Sequence, residues 1–308
     1  MTTLLYTHRA CLDHDPGPHH PERPARLEAI WQALDAPEFA GLIRREAPRA
    51  TFEALERAHP RRHIDQLLTA VPASGHVAVD ADTVLSSGSG EAALRAAGAI
   101  VAAVDAVVAG EAKNAFCAVR PPGHHAEPTT AMGFCLFSNA VIGALHARAV
   151  HGLRRVAIVD FDVHHGNGTQ AFAEHDADLF YASTHQWPLY PGTGAARETG
   201  LGNIVNRPLR AGSDGAEFRT AFGEWIMPAL GQFAPDLVIV SAGFDAHAAD
   251  PLAGLNLREA DFAWATEQLT SFAGRYCGGR LVSTLEGGYD LDALASSTAA
   301  HVAALMAA

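Results

Sequence analysis

No stretch of the 308 residues holds about 18 uninterrupted apolar side chains, the length a membrane-spanning helix requires, so no span is expected. Cysteine is scarce: Cys11, Cys117, Cys135 and Cys277 are the only four, and none belongs to a Cys-x-x-Cys pair. That usage argues against a disulfide framework and for a reducing, cytoplasmic setting. The segment Met1–Ala10 contains His8 and Arg9 and no long apolar run, so it does not read as a secretory leader. Excess positive charge is missing too. With 22 Lys and Arg against 34 Asp and Glu the net charge is −12, a field that does not attract phosphate backbones or anionic lipid. Neither nucleic acid nor a membrane is an expected partner, whereas a cationic substrate suits the charge. Internal repeats and Pro/Ser linkers are also missing, and the proline-rich Asp15–Pro24 reads as an ordered surface loop. Residues 1–308 are therefore expected to form a single domain.

What is present alternates. Apolar, strand-like runs occupy Thr3–His8, Ala115–Arg120, Val156–Asp162, Leu179–Thr184, Leu237–Phe244 and Arg280–Leu285. Most are continuously apolar, as suits strands covered on both faces. Between them lie helix-like segments at Pro24–Leu34, Arg61–Leu68, Gly90–Val108, Ser138–His151, Ala216–Leu230, Glu259–Tyr276 and Leu291–Met306. Strand followed by helix, repeated, predicts an α/β fold with a parallel sheet between two helical layers. Ligands in such folds sit beyond the carboxyl ends of the strands. Those ends here carry Arg120-Pro-Pro-Gly-His124-His125, Asp160-Phe-Asp162-Val-His164-His165-Gly-Asn167, Ser241-Ala-Gly-Phe-Asp245 and Leu285-Glu286-Gly-Gly-Tyr289-Asp290.

Asp160, Asp162 and His164 are spaced i, i+2, i+4, which puts them on one face of an extended strand. The bland reading is a solvated polar stripe, but the apolar run before them implies a buried strand, where unpaired charge is costly. Asp245 supplies a third candidate ligand, although an aspartate after a strand is often only a helix N-cap. Two carboxylates and one imidazole leave coordination positions open, the arrangement of a catalytic metal rather than a structural one. The mixed donors suit Zn²⁺, and Fe²⁺ or Co²⁺ equally. His124 and His125 follow a Pro-Pro-Gly turn that would hold both rings rigidly, one of them as a proton acceptor and donor. Gly287-Gly288-Tyr289 places a hydroxyl on a flexible loop, where it could meet a developing oxyanion.

Taken together, HHPERPARL (19–27), VRPPGHHAE (119–127), GFCLFSNA (133–140), VDFDVHHGNGTQ (159–170), YPGTG (190–194), SAGFDAHAADPLAGLNL (241–257) and LEGGYD (285–290) resemble the histone deacetylase family, in its class II-like and bacterial branch. The strings cover almost the whole chain in the family's order. The resemblance implies the arginase–deacetylase fold, with a central parallel eight-stranded sheet and helices on both faces, and a single deacetylase catalytic domain. It implies zinc ligation by Asp162, His164 and Asp245, a general base and acid at His125, an electrostatic partner at His124 paired with Asp160, and a carbonyl-polarising hydroxyl at Tyr289. Phe134, beside Gly133, and Tyr190 would wall an acyl tunnel, and Asp82 would accept the substrate's amide N–H at its rim. Asp160 and Ser183 would contribute to an inner K⁺ site. Asn167 stands where other family members carry an aspartate; a neutral amide stabilises imidazolium less, so His125 should rest neutral.

The resemblance implies hydrolysis of acetyl, or another short acyl group, from the ε-amine of lysine in peptides or proteins. Acetylpolyamine or another small acetylated amine is the alternative substrate. Leu252, where polyamine-specific relatives carry an acidic residue, favours lysine. A non-catalytic acyl-lysine reader would have no use for the His124, His125 and Tyr289 set. The sequence is compatible with a homo-oligomer.

Overall fold

The computed structural model describes residues 2–308, so Met1 of the segment Met1–Ala10 lies outside it. In chain order the elements are β1 (Thr3–Thr7), α1 (Ala25–Leu34), β2 (Ile43–Glu46), α2 (Phe52–Glu56), α3 (Arg61–Ala70), β3 (Val77–Ala78), β4 (Val84–Leu85), α4 (Ser89–Val108), β5 (Asn114–Cys117), α5 (Asn139–His151), β6 (Val156–Asp160), α6 (Asn167–Ala173), β7 (Leu179–Gln186), β8 (Ile204–Leu209), α7 (Gly215–Ala221), α8 (Met227–Phe233), β9 (Leu237–Ala242), α9 (Glu259–Tyr276), β10 (Leu281–Leu285) and α10 (Leu291–Ala307). Among the described residues, no helix is long and apolar enough to cross a membrane.

Eight strands form one sheet in the order β2-β1-β5-β10-β9-β6-β7-β8, and every pairing is parallel. The central strands β5, β10, β9 and β6 are buried at every residue. Their largely apolar content, mostly Val, Ile, Leu and Ala, suits strands covered on both sides. Helices α4 and α5 pack together over β5, β6, β9 and β10, while α9 and α10 pack against β5, β9 and β10 as a separate group, with α1 packed on α10. The two groups therefore occupy opposite faces. Each fully buried Val, Leu, Ile or Phe in these layers contributes about 1.5–3 kcal/mol.

The structure departs from the sequence reading at element ends and at the sheet's margins. Strand β6 stops at Asp160, not Asp162, and β5 at Cys117, not Arg120. The single helix expected over Ala216–Leu230 is divided: α7 opens on a capping box of Asp214 and Glu217, a wide π turn spans Phe222–Ile226, and Pro228 sits in the first turn of α8. Edge strands β2 and β8, the two-residue pair β3–β4, and helices α2 and α6 carry too little apolar patterning to stand out in the sequence.

Candidate metal and catalytic site

The four adjacent central strands deliver the candidate residues to one place. Beyond β6, two carboxylates fold the chain back on itself. Asp160 Oδ1 accepts from the backbone N–H of Asp162 at 3.0 Å, and Asp162 Oδ1 accepts from that of His164 at 2.8 Å. These successive Asx turns, rather than an extended strand, bring Asp162 and His164 together. Asp245, three residues past β9, accepts from the N–H of Val163 at 2.9 Å and so is tied to the same turn. Nδ1 of His164 lies 3.1 Å from Asp162 Oδ1 and 3.1 Å from Asp245 Oδ2. The donor atoms of Asp162, His164 and Asp245 all fall within 4.8 Å of one another, and all three residues are buried.

Such a concentration of charge wants a cation. Burial alone would raise Asp162, yet the charges of His124 and His164 hold it far below the usual carboxylate range. Asp245 is pushed up to about 7, first by burial and then by the charge of Asp162. His164, which burial would lower, is lifted to about 10 by its bonds to the two carboxylates. Two buried carboxylates and an imidazole gathered this closely form a donor set that fits a borderline divalent ion with open positions.

His124 and His125 leave the β5 end in a tight turn, and a carboxylate from β10 fixes that turn. Oε2 of Glu286 accepts from the N–H of Gly123 at 2.7 Å and of His124 at 3.1 Å, and Oε1 accepts from Ser241 at 3.0 Å. Nδ1 of His124 meets Asp160 Oδ2 at 3.0 Å. Burial would lower His124, but Asp162 and Asp160 lift it to about 10. Nδ1 of His125 lies 2.8 Å from Asn167 Oδ1, while Asn167 Nδ2 donates to Glu127 at 2.9 Å. With its amide so oriented, Asn167 can only accept from His125, so Nδ1 carries the proton and Nε2 keeps its lone pair. Burial, and then the charges of His124 and His164, drive His125 well below the ordinary histidine range.

The Tyr289 loop is not flexible, as its glycines suggested, but anchored. Gly287 N–H donates to Asp162 Oδ2 at 2.8 Å, Tyr289 N–H donates to Asp250 Oδ2 at 2.7 Å, and Asp290 caps α10 through Ala293 N–H at 2.9 Å. Arg26, fully buried, donates to the carbonyls of Gly288 and Glu286, each at 2.6 Å, and its guanidinium lies 4.9 Å from the Tyr289 ring centre. Glu22 binds both Arg26 and Arg120, and the charge of Arg120 keeps Glu22 well below its usual range although burial opposes it. Tyr289 itself is raised well above the ordinary phenol range, chiefly by burial, and stays a hydroxyl.

These groups floor a cavity of about 230 Å³ lined by His125, His164, Tyr289, Gly133, Phe134, Leu189, Tyr190, Leu252 and Asp82. Gly133 adopts φ +56°, and a Cβ there would fall 2.5 Å from the His125 ring, so only glycine leaves the imidazole its place. Tyr190 stands edge-on to His125 with ring centres 5.1 Å apart, and Phe134 edge-on to Tyr289 at 5.9 Å. Asp82 Oδ1 accepts from the Gly133 N–H at 3.2 Å, which ties the rim to the wall. Ser183 pairs in register with Asp160 across β6 and β7, and its hydroxyl lies 2.9 Å from His185 Nδ1. A larger surface depression of about 530 Å³ beside Arg57, Arg148 and Arg154 contains none of these groups.

The structure thus gathers every residue read as a candidate at or directly behind one cavity. It adds Leu189 to the wall, and Glu22, Arg26, Asp250 and Glu286 to the support. Glu22, Arg26, Asp250 and Glu286 lie in the strings that carried the resemblance, but no local spacing marks what they hold.

An eight-stranded parallel sheet whose central strand ends converge on a metal-competent aspartate–histidine–aspartate group defines a hydrolase of the arginase–deacetylase fold. Residues 20–305 match the family model described as the histone deacetylase domain. The chain is 40% identical to histone deacetylase 14, chloroplastic, of Arabidopsis thaliana over 98% of its own length and 76% of that protein's. It is 38% identical to the histone deacetylase-like amidohydrolase of Pseudomonas aeruginosa, covering 93% of this chain and 81% of that one. The crystal structure of the HDA15 HD domain superposes with a TM-score of 0.94 at 36% identity, over 99% of this chain and 90% of that one. The chain belongs to the histone deacetylase family.

Proposed function

We propose that the protein is a zinc-dependent lysine deacetylase acting as one catalytic domain over residues 1–308. Asp162, His164 and Asp245 would hold the metal, with Fe²⁺ or Co²⁺ as alternatives. A bound ion would supply Lewis acidity to a substrate carbonyl and to water. The remaining work falls to side chains of this chain. His125, with its Nε2 lone pair free, takes the proton of the attacking water and returns it to the departing amine. His124, charged against Asp160, favours the developing negative charge. Tyr289 donates to the oxyanion from its anchored loop. Water adds to the acyl carbon, the C–N bond breaks, and acetate and a free amine leave. Asp160 and Ser183 are assigned to an inner K⁺ site.

The observation that carries this reading is the single cavity in which the aspartate–histidine–aspartate group, His125 and Tyr289 meet beneath apolar walls. Phe134, Leu189 and Tyr190 suit the methylene chain of acetyl-lysine, and Asp82, which also lines the cavity, would accept its amide N–H. Leu252 offers no charge to a free polyamine, which favours an acetylated peptide or protein in the cytoplasm. The carboxylate of Asp82 at the rim favours the second reading, an acetylpolyamine whose distal ammonium it could meet. Comparing kcat/KM for an acetyl-lysine peptide and acetylputrescine decides. A tenfold preference for the polyamine, about 1.4 kcal/mol, overturns lysine as the substrate.

A further inference from the structure

Among the described residues, two groups of His, Cys, Asp or Glu side chains converge closely enough to share an ion. One is the candidate active site. The other is Asp105, His146 and His151, to which neither the fold nor the reaction gives any task. Asp105 lies in the last turn of α4, and His146 and His151 lie in the last two turns of α5. Nε2 of His146 and Nε2 of His151 each lie 2.6 Å from the same oxygen, Asp105 Oδ1. His146 is buried, whereas Asp105 and His151 keep 47% and 21% of their side-chain surface, so solvent ions reach the group directly.

We propose that Asp105, His146 and His151 form a second divalent metal site that clasps α4 to α5. Two imidazoles and a carboxylate are the donor types that select Zn²⁺, Co²⁺ or Ni²⁺ over Mg²⁺ or Ca²⁺, and water completes the fourth position. Metal bonds of about 2.0–2.1 Å hold tetrahedral donors about 3.3–3.5 Å apart, so the carboxylate must retreat by under ~1 Å, which its half-exposed side chain allows. Both helices end here, and the partial negative charge of their C-termini favours a cation. Binding through Nε2 places the imidazole proton on Nδ1. His146 Nδ1 lies 3.5 Å from Arg57 Nη1, so the ion requires that nitrogen to turn away while Arg57 Nη2 stays on Glu53 at 2.6 Å. Among the described residues, His151 is bonded only through Nε2, so no partner at Nδ1 opposes the change.

The site is separate from the cavity. His151 precedes the amino end of β6 at Val156, whereas Asp162 and His164 follow its carboxyl end at Asp160. The ion is therefore structural: it locks the helical layer behind the catalytic strands and does not touch substrate.

Zinc stoichiometry tests this. The full chain is stripped with chelator, dialysed against micromolar Zn²⁺ and analysed for metal alongside His151→Ala, His164→Ala and the double variant. The expected result is one equivalent fewer in His151→Ala than in wild type, whatever His164→Ala shows, so the outcome does not depend on the first site. In the His164→Ala background, Zn²⁺ should raise the unfolding temperature, and adding His151→Ala should remove that rise. Asp105→Asn, which keeps the shape and an acceptor oxygen, should also lose the equivalent with an unchanged circular dichroism spectrum. Equal zinc content in wild type, His151→Ala and Asp105→Asn overturns the proposal.

Discussion

Nδ1 of His125 and Oδ1 of Asn167 face each other at 2.8 Å, and Glu127 holds the amide from behind at 2.9 Å. A neutral acceptor fixes the tautomer without lending charge to the protonated ring. An Asn167→Asp variant puts a carboxylate in that position and stabilises the imidazolium. The acid limb of the kcat/KM profile should then move up by about one pH unit, about 1.4 kcal/mol of added stabilisation. Initial rates across pH 5–9 with an acetyl-lysine peptide check it, and an unmoved limb contradicts the pairing.

Tyr289 reaches the cavity floor from a loop fixed by Arg26, Asp250 and Asp162. Tyr289→Phe removes one oxygen and none of those anchors. With an oxyanion donor gone, kcat should fall about 10²–10³-fold, while KM and zinc content stay close to wild type. A variant as fast as wild type removes Tyr289 from the chemistry.

Gly287 passes so close to the metal group that a Cβ there would lie 2.1 Å from Asp245 Oδ2 and 2.6 Å from Asp162 Oδ2. Gly287→Ala must displace both carboxylates, so zinc stoichiometry and activity should fall together. Gly274, inside α9 with nothing within 4 Å of its would-be Cβ, provides the control. Gly274→Ala should keep full activity and stabilise by up to about 1 kcal/mol. Metal analysis and thermal unfolding of the two variants separate the effects.

How far the sequence reveals this molecule depends on the distance over which each feature is built. Asp162 and His164 stand out because two Asx turns act over two residues each, directly after a continuously apolar strand. The inner strands stand out because burial on both faces leaves them mostly apolar, with buried polar residues such as Asn114, Asp160, Ser241, Ser283 and Thr284 the exceptions. Strand β2, Ile-Arg-Arg-Glu, and strand β8, with Arg207 and Pro208, lie at the sheet's edges, where solvent admits polar side chains and erases the apolar run. Arg26 and Gly288 meet across 262 positions, and Asp250 and Tyr289 across 39, so no window of sequence shows either contact. The resemblance, not periodicity, supplied the eight-stranded count and the roles of the cavity residues.

His301, on the buried face of α10, lies between Thr266 Oγ1 of α9 at 2.6 Å and Ser283 Oγ of β10 at 2.8 Å, and among the described residues no carboxylate is bonded to it. Burial lowers it from 6.5 to about 3. Its folded value lies below its unfolded one, so the fold favours the neutral ring. The contribution to stability is complete above about pH 6.5, and it fades as pH falls towards about 3 because the unfolded chain takes up a proton that the folded chain refuses. Other buried groups titrate over the same range, so the measurable quantity is a difference. His301→Gln keeps a donor and an acceptor between the two hydroxyls but cannot be protonated. Between pH 6 and pH 4 the variant's unfolding free energy should decline less steeply than that of wild type, by about 1.4 kcal/mol per pH unit. Urea midpoints and m-values at pH 7, 6, 5 and 4 measure it, and parallel slopes would show that His301 takes up its proton without leaving the fold.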